Sequence, residues 1–108
     1  MTTDQEIINA ASDDWESLDQ IFISIRFEYA SDIDCKRSPR AHYWRERNPG
    51  VTLSELIGSI QRLVRDGFLD VRLADRSAAR SVEPEQVVGG WFRTTEAGRQ
   101  SLKGVELM

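Results

Sequence analysis

Apolar side chains recur along this chain in two periods, and the change of period marks its elements. Leu53, Leu56, Ile57, Ile60, Leu63 and Val64 repeat at three- and four-residue steps, which lines one face of an α-helix. Thr52-Leu53-Ser54-Glu55 has capping-box spacing at its start: the Thr52 hydroxyl can accept the Glu55 amide, and the Glu55 carboxylate can reach back. Gly67 can take the left-handed conformation that closes the helix. The period then drops to two. Leu69, Val71 and Leu73 alternate with Asp70 and Arg72, so Phe68 to Leu73 predicts a half-buried strand. After an irregular tip from Ala74 to Gln86, which contains Pro84, Val87 to Arg93 predicts its antiparallel mate, with Gly89 and Gly90 allowing a bulge or a close approach. Thr94 or Thr95 caps a last helix through about Lys103, with Leu102 available to the core. Ala97-Gly98 inside that helix is a penalty that asks for a packing reason.

The first fifty residues are patterned less sharply. Thr3 and Glu6 have capping-box spacing for a short helix carrying Ile7, Ile8 and Ala11. Ser12 with Asp13 and Asp14 offers another helix start, and Trp15, Leu18, Phe22, Ile25 and Tyr29 keep helical steps through roughly Tyr29. The rival is a strand, because Ile21, Ile23, Ile25, Phe27 and Tyr29 also alternate; the upstream cap and the period together favour the helix. Ser38-Pro39 and Asn48-Pro49-Gly50 bracket a short second helix.

Leu56 to Leu69 resembles the recognition helix and first wing strand of bacterial regulators of the MarR and PadR type, whose helix ends Leu-x-x-x-Gly-Leu/Phe-Leu/Ile. Phe92 to Leu102 is similar to the Leu-Thr-x-x-Gly-x-x-x-Leu segment that follows the wing, with Arg93 replacing the usual apolar residue. The resemblance covers residues 52–102. It implies an α+β winged helix-turn-helix: a three-helix core, a two-stranded β-hairpin wing and terminal helices, in one domain over residues 1–108.

Charge bears on what such a domain could bind. The formal net charge is −4, yet Met1 to Asp34 holds nine acidic residues and one basic, whereas the remainder holds thirteen basic and nine acidic. The acidity belongs to the first third, and the rest is mildly basic. A single cysteine, Cys35, and a single histidine, His42, cannot make an internal disulfide or a cysteine/histidine zinc site. No apolar run approaches the ~20 residues of a membrane span, and the first residues lack the basic start of a secretory signal, so the expected location is cytoplasmic. Gly-rich phosphate loops, nucleophile elbows and paired histidines are missing from the sequence, and Asp32 with Asp34 reads as loop solvation. Binding is therefore expected rather than catalysis, with no metal or cofactor.

The resemblance implies that the helix from Thr52 enters a major groove while the wing contacts the backbone or minor groove. Its exposed side should carry Ser54, Glu55, Gly58, Ser59, Gln61 and Arg62, of which Gln61 and Arg62 can make bidentate base contacts and Ser54 and Ser59 can bind phosphate. Arg72, Arg76 and Arg80 punctuate the wing, with Arg76 and Arg80 the foremost contacts. A second basic patch, Lys36, Arg37, Arg40, Arg45 and Arg47, surrounds Tyr43 and Trp44 and could clamp phosphates beside the groove. Two partners stand open, double-stranded DNA and another protein, because Trp, Tyr and Arg also anchor protein interfaces. Trp15 and Tyr29 are expected in the core, and the apolar helix that would carry them suggests a homodimer seam.

Overall fold

The computed structural model describes residues 2–31 and 42–106, beginning with helix α1 (Thr3–Ala10). Its cap is Thr2, one residue before the expected Thr3. The Thr2 hydroxyl accepts the Gln5 amide at 3.2 Å, and the Gln5 side chain accepts the Thr2 amide at 2.8 Å. Ile7 and Ile8 point into the core.

The long helix expected from Ser12 to Tyr29 is three elements. The Ser12 hydroxyl donates back to the Ile8 carbonyl at 2.7 Å, so it closes α1 instead of opening a new helix. Trp15 then precedes a short strand, β1 (Glu16–Ser17), and α2 runs only from Leu18 to Arg26. The capping box that starts α2 is Ser17 with Gln20, at 3.3 and 2.9 Å. From Phe27 the alternating pattern prevails: β2 (Phe27–Ser31) pairs antiparallel with β3 (His42–Glu46), placing Tyr29 opposite Trp44. A strand thus replaces the short helix expected after Ser38-Pro39, and those two residues lie outside the described ones.

Local preference does not decide where α2 stops; residues that follow β3 do. Asn48 Nδ2 donates to the Ile25 carbonyl at 2.6 Å and Arg47 Nη2 to the Ser24 carbonyl at 2.7 Å, while the amides of both residues donate to Arg26 at 3.0 and 2.7 Å. The otherwise unpaired carbonyls of the last turn are thereby satisfied. With Trp15 and Tyr29 off the helix, the seam on which a homodimer was expected loses its basis. Leu18, Ile21 and Ile25 are buried in the domain's own core.

Helix α3 (Leu53–Arg65) forms as its pattern predicts. The Thr52 hydroxyl accepts the Glu55 amide at 3.2 Å, and Leu56, Ile60, Leu63 and Val64 are buried, although Leu53 is exposed. Gly67 adopts φ +83°, which lets its amide reach the Val64 carbonyl at 3.1 Å and the Phe68 amide reach Leu63 at 2.9 Å. This pair of bonds is the Schellman closure.

The chain then enters β4 (Leu69–Arg72), followed by β5 (Ala78–Ala79), a short helix α4 (Pro84–Gly89) and β6 (Trp91–Thr94). The expected irregular tip therefore holds two elements, and the expected strand from Val87 begins only at Trp91. Pro84 opens α4, the Gln86 side chain accepts the Glu83 amide at 2.9 Å, and Val87 is fully buried within that helix. β4 and β6 pair antiparallel, with Val71 opposite Phe92 and Arg72 opposite Trp91. β1 adds on the far side of β6, giving an antiparallel sheet ordered β1-β6-β4-β5. The α+β class holds: among the described residues there are five helices and this four-stranded sheet.

Strand β6 sorts its side chains cleanly. Phe92 and Thr94 are buried against the helices, and Trp91 and Arg93 face outward. Arg93 therefore fills an outward position without displacing the register. The Thr94 hydroxyl donates to the Ile8 carbonyl at 2.6 Å and its amide to Ala11 at 3.0 Å, tying α1 to the sheet. Next, the Thr95 hydroxyl caps α5 (Glu96–Glu106) by accepting the Gly98 amide at 3.1 Å, and donates to the Gly67 carbonyl at 2.7 Å.

Two mid-helix glycines, Gly58 in α3 and Gly98 in α5, differ in what surrounds them. A Cβ at Gly98 would lie 2.5 Å from the Phe68 carbonyl oxygen and 2.7 Å from Thr94 Cγ2, which is the packing reason its position called for. A Cβ at Gly58 would meet nothing within 4 Å. Gly98→Ala should therefore destabilise the fold by about 1–3 kcal/mol through overpacking, whereas Gly58→Ala should stabilise it by about 0.5–1 kcal/mol. Urea denaturation of both variants checks the opposite signs; a loss at Gly58 or a gain at Gly98 would contradict this packing.

Candidate binding surfaces

The sheet divides the expected contact residues between two surfaces. The first lies along α3. Ser54, Glu55, Gly58 and Arg62 are exposed there, and Ser59 and Gln61 are half-buried. An open groove of about 420 Å³ runs between α3 and the segment Ser81–Val82, lined on the helix side by Gly58, Gln61, Arg62 and Arg65. Two of its polar groups are already engaged. Gln61 Nε2 donates to the Val82 carbonyl at 3.0 Å, which fixes the wall of the groove. Arg62 Nη2 donates to both carboxylate oxygens of Asp4, at 2.6 and 2.7 Å. That hydrogen bond, and next the charge of Asp4, hold the Arg62 pKa above its ordinary value. Both side chains remain partly exposed, so the pair is a surface ion pair of about 0.2–1 kcal/mol. Arg65 is 3.4 Å from Asp66, and exposed Arg80 adjoins Ser81 at the groove's edge.

The second surface is the outer face of the sheet. On β4, Leu69 and Val71 are buried while Asp70 and Arg72 are exposed, so Arg72 points away from the helical layer and cannot share a groove with α3. Its guanidinium stands over the Trp15 ring at 4.4 Å, and that of Arg93 stands over the same ring at 4.8 Å. Trp15, expected in the core, is thus the platform for two cations. Trp91, with 43% of its surface exposed, completes a cleft of about 550 Å³ that also borders Asp14 and Arg76. The Asp14 carboxylate accepts the Trp15 amide at 2.7 Å. Among the described residues, neither Arg72 nor Arg93 is within 4.0 Å of a carboxylate.

The chain matches no family model, no curated protein and no solved structure.

Arg76 sits in the turn between β4 and β5 at φ +68°, a left-handed conformation that costs a non-glycine residue on the order of 1 kcal/mol. The turn is closed by the Arg76 amide on the Leu73 carbonyl and the Leu73 amide on the Ser77 carbonyl, both at 2.8 Å. Of the second basic patch, Arg45 belongs to β3 of the separate two-stranded sheet, and Lys36, Arg37 and Arg40 lie outside the described residues, as do Asp32, Asp34 and Cys35. Arg47 is used structurally, at the end of α2 and 3.9 Å from Glu6. The sequence reading missed Trp15, Trp91 and Arg93 as surface groups. The signal was the alternation itself, since Trp91 and Arg93 fall out of phase with Phe92 as Arg72 does with Val71.

The Asp75 carboxylate accepts both the hydroxyl and the amide of Ser77, and these bonds, the hydroxyl's first, pull its pKa below the usual carboxylate range. A lowered folded-state pKa makes this contribution to the turn complete above the unfolded value and lost as pH falls through the folded one. The side-chain carboxyl resonance of Asp75 should titrate below those of exposed aspartates, and Ser77→Ala should move it upward. An Asp75 titration unaffected by Ser77→Ala would contradict the turn geometry.

Proposed function

We propose that this chain is a winged helix domain that binds double-stranded DNA in the manner of a transcriptional regulator. The single observation carrying the reading is the groove beside α3, where a capped helix offers Gly58, Arg62 and Arg65 next to Ser81–Val82, the residues that follow exposed Arg80 in the chain. The topology supports it. Helix, short strand, helix, helix and two antiparallel strands, with the first strand joining the last, is the order a winged helix requires, and β4, β5 and β6 supply the wing. The β2–β3 hairpin is then an insertion between the second and third helices. Gly58, exposed and without a packing role, lets a backbone approach the helix closely.

A second reading, a winged helix module that binds another protein, is favoured by one observation. Gln61 and Arg62, the residues best suited to base contacts, are held by Val82 and Asp4, which leaves a thin reading face beside Glu55.

Electrophoretic mobility with random duplex across a salt series separates the two. DNA binding predicts a complex whose affinity falls steeply with salt, with a slope of about −0.9 per phosphate neutralised. Arg80→Ala and Arg65→Ala should each flatten that slope by about one phosphate. Asp4→Asn should tighten binding, because it frees the Arg62 guanidinium, while lowering stability by less than about 1 kcal/mol. Absence of any complex at low salt overturns the DNA reading in favour of the protein partner.

A further inference from the structure

Two arginines on one indole demand an explanation: Asp70 stands opposite Arg93 in the register and Asp14 borders the cleft beside Arg72, yet among the described residues neither guanidinium is within 4.0 Å of a carboxylate. Each cation–π contact at an exposed site is worth about 0.5–1 kcal/mol, but gathering two guanidiniums at one ring brings like charges near each other. An anion arriving beside them would relieve that repulsion. Beside them Trp91 leaves 43% of its surface to solvent, while its inward neighbours Phe92 and Thr94 make the core contacts. In the register Trp91 stands directly opposite Arg72, and Arg93 lies two residues along the same strand, so ring and cations share one face.

We propose that the outer face of the sheet binds single-stranded nucleic acid, a base stacking on Trp91 and its phosphate lying against Arg72 and Arg93. Charge complementarity selects a polyanion, and the exposed indole selects one with free aromatic faces. A duplex does not fit this chemistry, since its bases turn their π-faces to one another and leave only edges in the grooves. An unpaired strand offers both groups at the spacing of one nucleotide, and stacking tolerates any base. The cleft, of about 550 Å³, has the size of a small-ligand site, and its turn side is formed by the Arg76 loop. This site is separate from the α3 groove and stands or falls independently of duplex binding there.

The test is titration of the full chain with an oligothymidylate of about eight nucleotides, read by tryptophan fluorescence quenching and by anisotropy of labelled oligonucleotide. The proposal expects saturable quenching that weakens with salt. Trp91→Ala should reduce affinity by roughly 5- to 150-fold, the equivalent of one lost stack, and Trp91→Phe should restore most of it. Arg72→Ala with Arg93→Ala should weaken binding and flatten the salt slope by up to about 0.7 per phosphate lost. Far-UV circular dichroism controls for folding, and Trp91→Thr, a strand former without a ring, replaces the alanine variant if that one misfolds.

No quenching by oligothymidylate, or binding that is the same in Trp91→Ala and Trp91→Thr, overturns the proposal. So does thymidine monophosphate binding as tightly as the oligomer, which would make the cleft a free-nucleotide site. Duplex binding that survives Trp91→Ala but weakens in Arg80→Ala, alongside single-strand binding with the reverse dependence, supports two separate surfaces. Loss of duplex binding alone removes the α3 reading and leaves this one in place.

Discussion

Strand β6 carries the constraint on which the rest of this structure depends. It lies between β1 and β4, so its four residues must satisfy a ladder on both edges while one face seals the helical layer. Phe92 fills that layer and is fully buried; Thr94 reaches through it to the Ile8 carbonyl, joining the first helix to the last strand across most of the chain length. Removing a buried phenyl ring costs about 3–5 kcal/mol in a typical core, a large part of the stability of a domain this size. A strand of period two that commits Phe92 and Thr94 inward has no choice about Trp91 and Arg93. They face out.

That commitment divides the positive charge of the chain. β4 runs beside β6 in the same pleat, so Arg72 follows Trp91 and Arg93 to the outer face, and Trp15, next to β1, supplies the ring beneath the cations. The arginines of α3, Arg62 and Arg65, remain on the helical side. One basic surface spanning helix and wing, as the resemblance implied, therefore becomes two smaller ones with different chemistry. The α3 groove is walled by backbone and polar groups and is partly neutralised by Asp4. The sheet cleft is aromatic, and although Asp14 borders it and Asp70 stands opposite Arg93, neither of its two stacked cations is within 4.0 Å of a carboxylate among the described residues. A polyelectrolyte with regular phosphates suits the former, and exposed bases suit the latter.

Much of this order was legible in the residues from Thr52 onward, because there the local signals agree with one another. The Thr52 cap, the stripe from Leu56 to Val64, the Gly67 closure and the alternation after it all point to one helix feeding one strand. Legibility failed where the deciding partner was distant in sequence. Ile21 to Tyr29 carries both periods at once, and what ends α2 at Arg26 is a clasp from Arg47 and Asn48, some twenty residues downstream. The strand that pairs with Phe27–Ser31 lies across a gap no local window spans. Pro84 falls in the expected irregular tip, but a proline also suits the first turn of a helix, and here it opens α4, which takes Val87 out of the expected strand. Of the candidate contact residues, individual arginines stand out in the sequence but their grouping does not, because which face each occupies follows from the sheet register.

Mapping backbone and indole NMR shifts during titration with a duplex, and separately with a single strand, tests the two-surface account most directly. The account predicts that the duplex perturbs α3 and residues 80–82, while the single strand moves the Trp15 and Trp91 indole resonances and the amides of Arg72 and Arg93. Perturbation of one common surface by both ligands, or of residues on neither surface, would contradict it.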